Sequence, residues 1–316
     1  MATKCSDADT GSVAAVSLFV SFVILSVLAI VGNLLVVVAV VCDPLKKLHT
    51  PFNYFLVNLS VCDLVAGSIP MPLTAYYMYT SSQGLTITFS PLEETVTIAS
   101  AATVILSTCA LAVDRYVGIT YPLKYRVKLS WRRCILISIM IWIFSIGVAF
   151  LVTYVGEKKM AFAGFYYGAI FIGLCVITFV YFGVHRFMRK YESEFKKRLK
   201  DSLTSCEETI ARRCKEEKKV TRAFFVILLV FILSYVPGLA FLNVMYYCEI
   251  CSCKLKYDLY HIRYMLSVSN SSFNPFIFMS LLRNIRHSIL ALFEIIFNRK
   301  VSQTNTSQGE STSKGK

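Results

Sequence analysis

Asp63, the pair Asp114-Arg115, and the amides Asn33, Asn270 and Asn274 all stand within or at the edge of long apolar runs. Ionisable groups in such surroundings are costly and mark ion sites, relays or switches by default. A carboxylate such as Asp63 must there be protonated or paired, and its plainer reading is a structural hydrogen-bond cluster. Arg115, with Asp114 beside it, is suited to a switch, against the plainer reading of a solvated ion pair worth about 0–1 kcal/mol. Glu93, Glu94 and Thr97 form a second polar group, suited to a cationic partner or to a wet rim. The chain has no nucleophile–base pair, phosphate loop or metal-ligand cluster, so it does not read as an enzyme.

The elements that must hold these groups are legible as blocks. Of 316 residues 56% are hydrophobic and 16% charged, with a mean hydropathy of +0.59. Soluble domains average about 45–50% and 25%. The apolar residues gather at 13–42, 51–79, 87–121, 131–155, 162–188, 219–247 and 258–280. Each run supplies the roughly 20 residues that cross a bilayer core, and none alternates with period two. This predicts an all-α membrane protein, a bundle of seven transmembrane helices at 13–297. The run from Val13 to Cys42 is too long for a signal-peptide core and reads as an uncleaved anchor. Residues 1–12 form a tail, 282–297 alternate cationic and apolar residues as an amphipathic helix on the membrane surface, and 298–316 read as a disordered tail. The segment 186–219 reads as helical extensions of spans 5 and 6 into water, joined near Thr204–Glu208.

Charge orients the bundle. Lys and Arg number 2 in 43–50, 6 in 115–133, 13 in 186–222 and 6 in 283–316, which is 27 of the 33. The positive-inside rule then puts the N-terminus outside and the C-terminus in the cytosol, and it accounts for the net +14 without nucleic acid. Cys5, Cys248, Cys251 and Cys253 fall on the oxidising side, where an even set can form disulfides. A zinc site is the alternative, disfavoured because no His lies among them at the usual spacing.

Motif by motif the chain resembles a rhodopsin-like (class A) G-protein-coupled receptor. The resemblance rests on Gly32-Asn33, on Asn58 through Asp63-Leu64, and on Asp114-Arg115-Tyr116 followed by Tyr121-Pro122-Leu123. Trp142, Tyr181, Phe231 six residues before Pro237, and Asn270, Ser271 and Asn274-Pro275 complete it. It implies a polar pocket of Asn33, Asp63, Asn270, Ser271 and Asn274 able to hold a sodium ion, although Val104 stands where the family often offers a hydroxyl. It also implies that Glu217 holds Arg115 in the resting state and that the kinks at Pro237 and Pro275 serve as pivots. Tyr235 replaces the usual tryptophan, and Phe278 replaces a tyrosine whose hydroxyl would reach Tyr181 through water.

Ser90 stands where most relatives carry a cysteine, the loop near 156–162 has none, and Gly173 replaces a proline. These departures are nearest to the melanocortin, lysophospholipid, cannabinoid and adenosine receptor group. By that resemblance Cys5 pairs with a cysteine of 248–253. The implied ligand pocket is built from Glu94, Thr97, Ile98, Leu242, Tyr260 and Tyr264, with Leu73 beside them. Leu73 and Ser90 occupy two of the three acidic positions that hold calcium in melanocortin receptors. Thr97 stands where amine receptors carry an aspartate, and Val268 where opsins carry the retinal lysine. The missing loop cysteines and the presence of Pro237 also weaken an odorant-receptor reading.

The function implied is a plasma-membrane receptor that binds an extracellular small molecule, lipid or peptide and activates a heterotrimeric G protein as span 6 swings outward. Arrestin and a receptor kinase would act at Ser302, Thr304, Thr306, Ser307, Ser311, Thr312 and Ser313, and membrane lipids surround the bundle. No cofactor is expected beyond the possible sodium at Asp63. A transporter or a non-signalling decoy receptor is the alternative, although no internal repeat points to transport.

Overall fold

The computed structural model describes residues 12–83, 85, 90–121, 125, 130–154, 158–199 and 205–296. Cys5, Pro122 and the Ser/Thr tail lie outside these residues, as do the side chains of Tyr181 and Glu217. The main helices are α1 (Ser12–Cys42), α2 (Pro51–Ser68), α3 (Pro70–Ser82), α4 (Pro91–Thr120) and α5 (Trp131–Tyr154), then α6 (Lys158–Leu199), α7 (Ser205–Tyr247) and α8 (Cys253–Leu281). A helix α9 (Arg283–Ile296) follows α8 at 92°. Six spans are long and apolar enough to cross a membrane on their own, and the bent pair α8–α9 makes a seventh. α8 falls short alone because it carries Lys254, Lys256, Asp258, Arg263 and two asparagines. Helices that pack inside a bundle can carry such groups, since neighbours rather than lipid receive them.

Two features differ from the sequence reading. The second span is two helices: the chain breaks at Ile69 (φ −122°, ψ −71°), directly before Pro70. Proline excludes the α conformation from the residue before it and lacks a donor of its own, so the helix restarts rather than continues. After α1 the chain turns through Asp43 and Lys46, both at positive φ (33° and 51°). The Asp43 carboxylate makes this possible by accepting from the N–H groups of Lys47 and Leu48, each at 2.9 Å. The extensions of α6 and α7 beyond the apolar runs are helical, as their charge pattern predicts.

Burial is inverted relative to a soluble protein. Ile135, Leu136, Ile139, Met140, Ile143, Phe144 and Phe150 of α5 are exposed, whereas Ser145 and Thr153 are buried. Asn33, Asn58, Asp63, Ser107, Asn270 and Asn274 are buried as well. Lipid welcomes the first set and cannot satisfy the second, so the bundle turns its hydrogen-bonding groups inward. α1 packs on α2, α3 and α8; α4 packs on α2, α5 and α6; and α7 packs chiefly on α8. α9 presses Ile285 and Ile289 into the same apolar cluster as Phe52, Phe55 and Leu56, and leaves Leu290, Phe293 and Ile296 facing out.

Candidate functional site

At one end of the bundle, the last two turns of α4 hold Asp114 and Arg115, both buried. The Asp114 Oδ2 accepts from Arg115 Nε at 2.9 Å and from Arg115 Nη2. A third group closes the pair. Arg115 Nη2 donates to the Tyr125 hydroxyl at 2.9 Å, and that hydroxyl donates to Asp114 Oδ1 at 2.7 Å. Burial pushes the Tyr125 phenol far above its ordinary range, which keeps it neutral and able to donate. Phe52 of α2 completes the enclosure, with its ring centroid 4.1 Å from the Arg115 guanidinium carbon. The arrangement is a closed charge pair shielded by two aromatic rings, and it ties the foot of α4 to the α2 helix and to the segment carrying Tyr125.

Tyr116 turns away from this lock. Its ring lies 5.6 Å from Phe179, and a Cβ at Gly183 would come within 2.4 Å of it. A groove of about 580 Å³ lined by Tyr116, Phe179, Phe182, Gly183, Arg186 and Phe187 opens on this flank. Phe179 and Phe182 are largely exposed there, so the groove belongs to the membrane-facing surface rather than to the interior.

Mid-bundle, Asp63 is fully buried and accepts from Asn274 Nδ2 at 2.8 Å. Asn33 Nδ2 donates to the carbonyls of Ala29 (2.9 Å) and Ser271 (3.1 Å), tying α1 to α8. Asn58 links three helices, donating to Ser107 Oγ at 2.8 Å while its Oδ1 accepts from Trp142 Nε1 at 3.3 Å. The amide donors are thus satisfied. The acceptors are not: Oδ1 of Asn33, Asp63, Asn270 and Asn274 is buried with no hydrogen-bond partner among the described residues. An orphaned buried acceptor costs about 1–3 kcal/mol. Four such oxygens, one of them a carboxylate oxygen, make a donor set suited to a hard monovalent cation and water. Val104 is buried and adds no oxygen to it. The described residues contain no group of three His, Cys, Asp or Glu able to hold a metal, so any cation here depends on the one carboxylate of Asp63 together with amide oxygens.

The rings of Phe231 and Tyr235 of α7 lie 4.6 Å apart and tilted, both buried, six and two residues before Pro237. A Cβ at Gly173 of α6 would come within 3.4 Å of Phe231. Where a proline is replaced by this glycine, the phenylalanine ring closes against the helix. Pro275 interrupts α8 one residue after Asn274, and Phe278 is fully buried in the large cluster around Leu56 and Leu111.

At the other end of the bundle, Ser90 is the N-cap of α4. Its Oγ accepts from the Glu93 N–H at 3.3 Å and Glu93 Oε2 accepts from the Ser90 N–H at 2.6 Å, a reciprocal capping box. Glu93 is therefore occupied with the helix end. Glu94 makes no ion pair among the described residues and is half-buried. The Thr97 hydroxyl returns to the Glu93 carbonyl at 2.9 Å. The other pocket residues expected from sequence are dispersed. Ile98 lies in a cluster with Ala149 and Val152 of α5, Leu242 lies with Phe231 and Tyr235, and Tyr264 packs 5.5 Å from Phe22 of α1. Tyr260 is the most exposed of the set. Cys248 and Cys251 are disulfide-bonded to each other across the short connection from α7 to α8, and Cys253 is disulfide-bonded as well. Tyr125 and Phe52 were not legible as site residues. The only signal was Tyr125 ten positions beyond Arg115, and no pattern rule joins a loop tyrosine to a helix end.

Three comparisons bear on this geometry. The family model described as "7 transmembrane receptor (rhodopsin family)" matches residues 32–278. The alpha-1A adrenergic receptor of Oryzias latipes is 31% identical over 141 residues, 45% of this chain and 30% of that receptor. The human olfactory receptor 4E1 is 30% identical over 129 residues, 41% of this chain and 40% of that receptor. The matched stretch thus spans less than half the length of these relatives. The crystal structure of squid rhodopsin superposes with a TM-score of 0.77 at 17% identity, over 91% of this chain and 87% of that one.

Proposed function

Because the chain belongs to the rhodopsin family of seven-transmembrane receptors, we propose that it binds an extracellular ligand and activates a heterotrimeric G protein, with Asp114, Arg115 and Tyr125 as the lock of its resting state. The observation that carries this is the burial of Arg115 in a closed set of partners at one end of the bundle. A permanently charged side chain enclosed in this way is a stored group, which becomes available to a partner when the bundle opens. Ligand and G protein would each favour the open state and so strengthen each other's binding. The excess of Lys and Arg in the segments at the Arg115 end supports reading that end as cytosolic. Glu217 would supply a further restraint on Arg115 from α7, and Pro237 the pivot about which the foot of α7 swings out.

The test is G-protein activation in cells expressing the intact chain and Arg115→Ala at matched surface density. Loss of the signal by tenfold or more in the variant is the expected result, since among the described residues no other buried cation stands at that end of α4. Silence of the intact chain across every G-protein class would sink the reading and leave a non-signalling receptor. Ser90 as a helix cap, in place of a cysteine tether, supports a ligand entrance of the melanocortin-related kind. Thr97, bonded back to its own helix, offers no carboxylate for an amine.

The acceptors around Asp63 fit sodium, which would supply a positive charge that draws α1, α2 and α8 together. Asp63 and Asn274 would hold it, with Asn33 and Asn270 behind them. An ion bound only in the folded resting state stabilises it by about 1 kcal/mol when present at several times its dissociation constant. The purified chain should therefore unfold a few degrees higher in sodium chloride than in choline chloride, and Asp63→Asn should erase the difference. Equal melting in the two salts for the unmodified chain would remove sodium from the reading without touching the lock.

A further inference from the structure

The groove beside Tyr116 continues along α6. A second groove, of about 510 Å³, is lined by Phe171, Leu174, Cys175 and Thr178 together with Phe179 and Phe182, which also line the first. The two thus form one furrow. Spacings of three and four residues set Cys175, Phe179, Phe182, Arg186 and Arg189 along one face of the helix. Phe171, Phe179 and Phe182 are 67%, 66% and 65% exposed. An apolar face turned to hydrocarbon is ordinary in a membrane bundle. This one is also concave and ends on cations, and those two features together select among lipids.

The concavity has a local cause. Gly183 carries no side chain, and the Tyr116 ring of α4 sits so close that a Cβ there would clash with its Cε2. The ring becomes the floor of a depression that Phe179, Phe182 and Phe187 line. At the Arg115 end of the bundle the furrow reaches Arg186, which is exposed, with exposed Arg189 one turn farther on. Neither arginine makes an ion pair among the described residues. Cys175 precedes Arg186 by eleven residues, about 16 Å of helix. One leaflet of a ~30 Å hydrocarbon core is about 15 Å deep. The furrow therefore has the length of an acyl chain in one leaflet, with positive charge at the depth of a headgroup phosphate.

We propose that the furrow between the feet of α4 and α6 binds an anionic phospholipid of the cytosolic leaflet. One acyl chain lies along Phe179, Phe182 and Tyr116, and the headgroup phosphate meets Arg186 and Arg189. A guanidinium matches phosphate oxygens with paired planar donors, and basic pockets between spans on the cytosolic side select anionic headgroups. A choline headgroup would bring a cation back towards both arginines. Tyr116 follows Arg115 in the chain, so the bound acyl chain rests on the same turn of α4 that holds the lock. The inference draws on the cytosolic reading of that end only to name the leaflet.

A tryptophan in the furrow tests this without any G protein. The native tryptophans, Trp131 and Trp142, both lie on α5, so Phe182→Trp adds a reporter whose quenching is read against the unmodified chain. The purified full chain is placed in phosphatidylcholine bilayers in which a small, equal share of the lipid is brominated phosphatidylserine or brominated phosphatidylcholine. Bromine on the acyl chain quenches the indole it touches. A basic side chain near the surface favours anionic lipid about fivefold, so two should give the serine lipid about tenfold or greater preference at the reporter. Arg186→Gln with Arg189→Gln should bring the preference to near one, and Arg283→Gln, an exposed cation on α9, should leave it. Glycerophosphoserine, the same headgroup without chains, should not displace the serine lipid at equal concentration. Equal quenching by the two lipids, a preference that survives loss of both arginines, or displacement by the chainless headgroup would overturn the proposal. The substituted side chains are exposed, so the variants keep the packed core. Each of these outcomes is compatible with intact G-protein activation, which separates failure here from failure of the receptor reading.

Discussion

Asp114→Asn should raise ligand-independent nucleotide exchange on the G protein well above that of the unmodified chain, by an order of magnitude where the resting population is small. The carboxylate accepts two bonds from Arg115 and one from Tyr125. Hydrogen bonds to charged groups contribute about 1.5–3 kcal/mol, neutral ones about 1. An asparagine keeps the shape and loses the charge, so the closed state should lose about 2 kcal/mol relative to an open state in which Arg115 meets a partner instead. That is a factor of roughly 30 in the equilibrium constant. A receptor open about 1% of the time would become open about a quarter of the time. Tyr125→Phe removes the hydroxyl that bridges the two charges while leaving the ion pair itself, and should give a smaller rise of a few fold. The order Asp114→Asn, then Tyr125→Phe, then the unmodified chain is the expected result, read in isolated membranes at equal receptor density. A folded, surface-expressed Asp114→Asn with unchanged or lower basal exchange would show that the pair is structural and that the lock lies elsewhere.

The direction of that prediction depends on a distinction between removing the anion and removing the cation. Arg115→Ala leaves Asp114 buried at 1% side-chain exposure with Tyr125 alone for a partner. Breaking a buried pair in this way costs several kcal/mol, because the remaining charge has lost its compensation. The loss of signal in that variant therefore carries a stability cost along with the loss of the signalling group. Asp114→Asn strands no such anion, and Arg115 still has the Phe52 and Tyr125 faces to lie on. The two variants thus move signalling in opposite directions for different physical reasons, and neither result follows from the other.

The reach of the sequence differs between the parts of this molecule. The spans were legible because hydrocarbon selects continuous apolar runs, and the boundaries of α1 and α5 and the C-terminal ends of α7 and α8 fall close to where hydropathy changes. The helical extensions of α6 and α7 were legible from dense Lys, Arg and Glu. The break at Ile69 was not, although Pro70 and Pro72 stood in plain view, because hydropathy runs on unbroken across it. Asp63 and Asn274 could be placed together by resemblance, and the two are hydrogen-bonded at 2.8 Å. Ile98 could not be placed by periodicity. A helix buried on most of its circumference has no single apolar face, so its rotation is set by neighbours such as Ala149 that pattern alone does not identify. Tyr125 was beyond reach for a related reason, since the contact that matters depends on how a loop returns to a helix end.

Gly32→Val should be the most damaging substitution of a small residue outside the lock. A Cβ at Gly32 would stand 2.5 Å from Pro275 Cγ and 2.9 Å from its Cβ, about 1 Å inside ordinary carbon contact. The opposing atoms belong to a proline ring, which has no rotamer to yield. Either α1 tilts away from α8 or the bend at Pro275 changes. The first option pulls Asn33, the next residue, off the Ser271 carbonyl it holds at 3.1 Å. The second moves Asn274 away from Asp63. Overpacking alone costs about 1–3 kcal/mol, and a stranded buried amide adds a comparable amount. Together these should lower the unfolding temperature by several degrees and cut surface receptor severalfold, as losses of that size do in cells. Gly32→Ala should fall between, while Gly147→Ala, whose Cβ would meet nothing within 4 Å, should match the unmodified chain. If Gly32→Val melts like the unmodified chain, α1 and α8 are not in close contact at Pro275, and the polar cluster around Asp63 loses the packing that encloses it. If it melts early but regains stability in high sodium chloride, the defect lies in the cluster rather than in the backbone contact. That result would tie the proline bend and the ion to one packed unit.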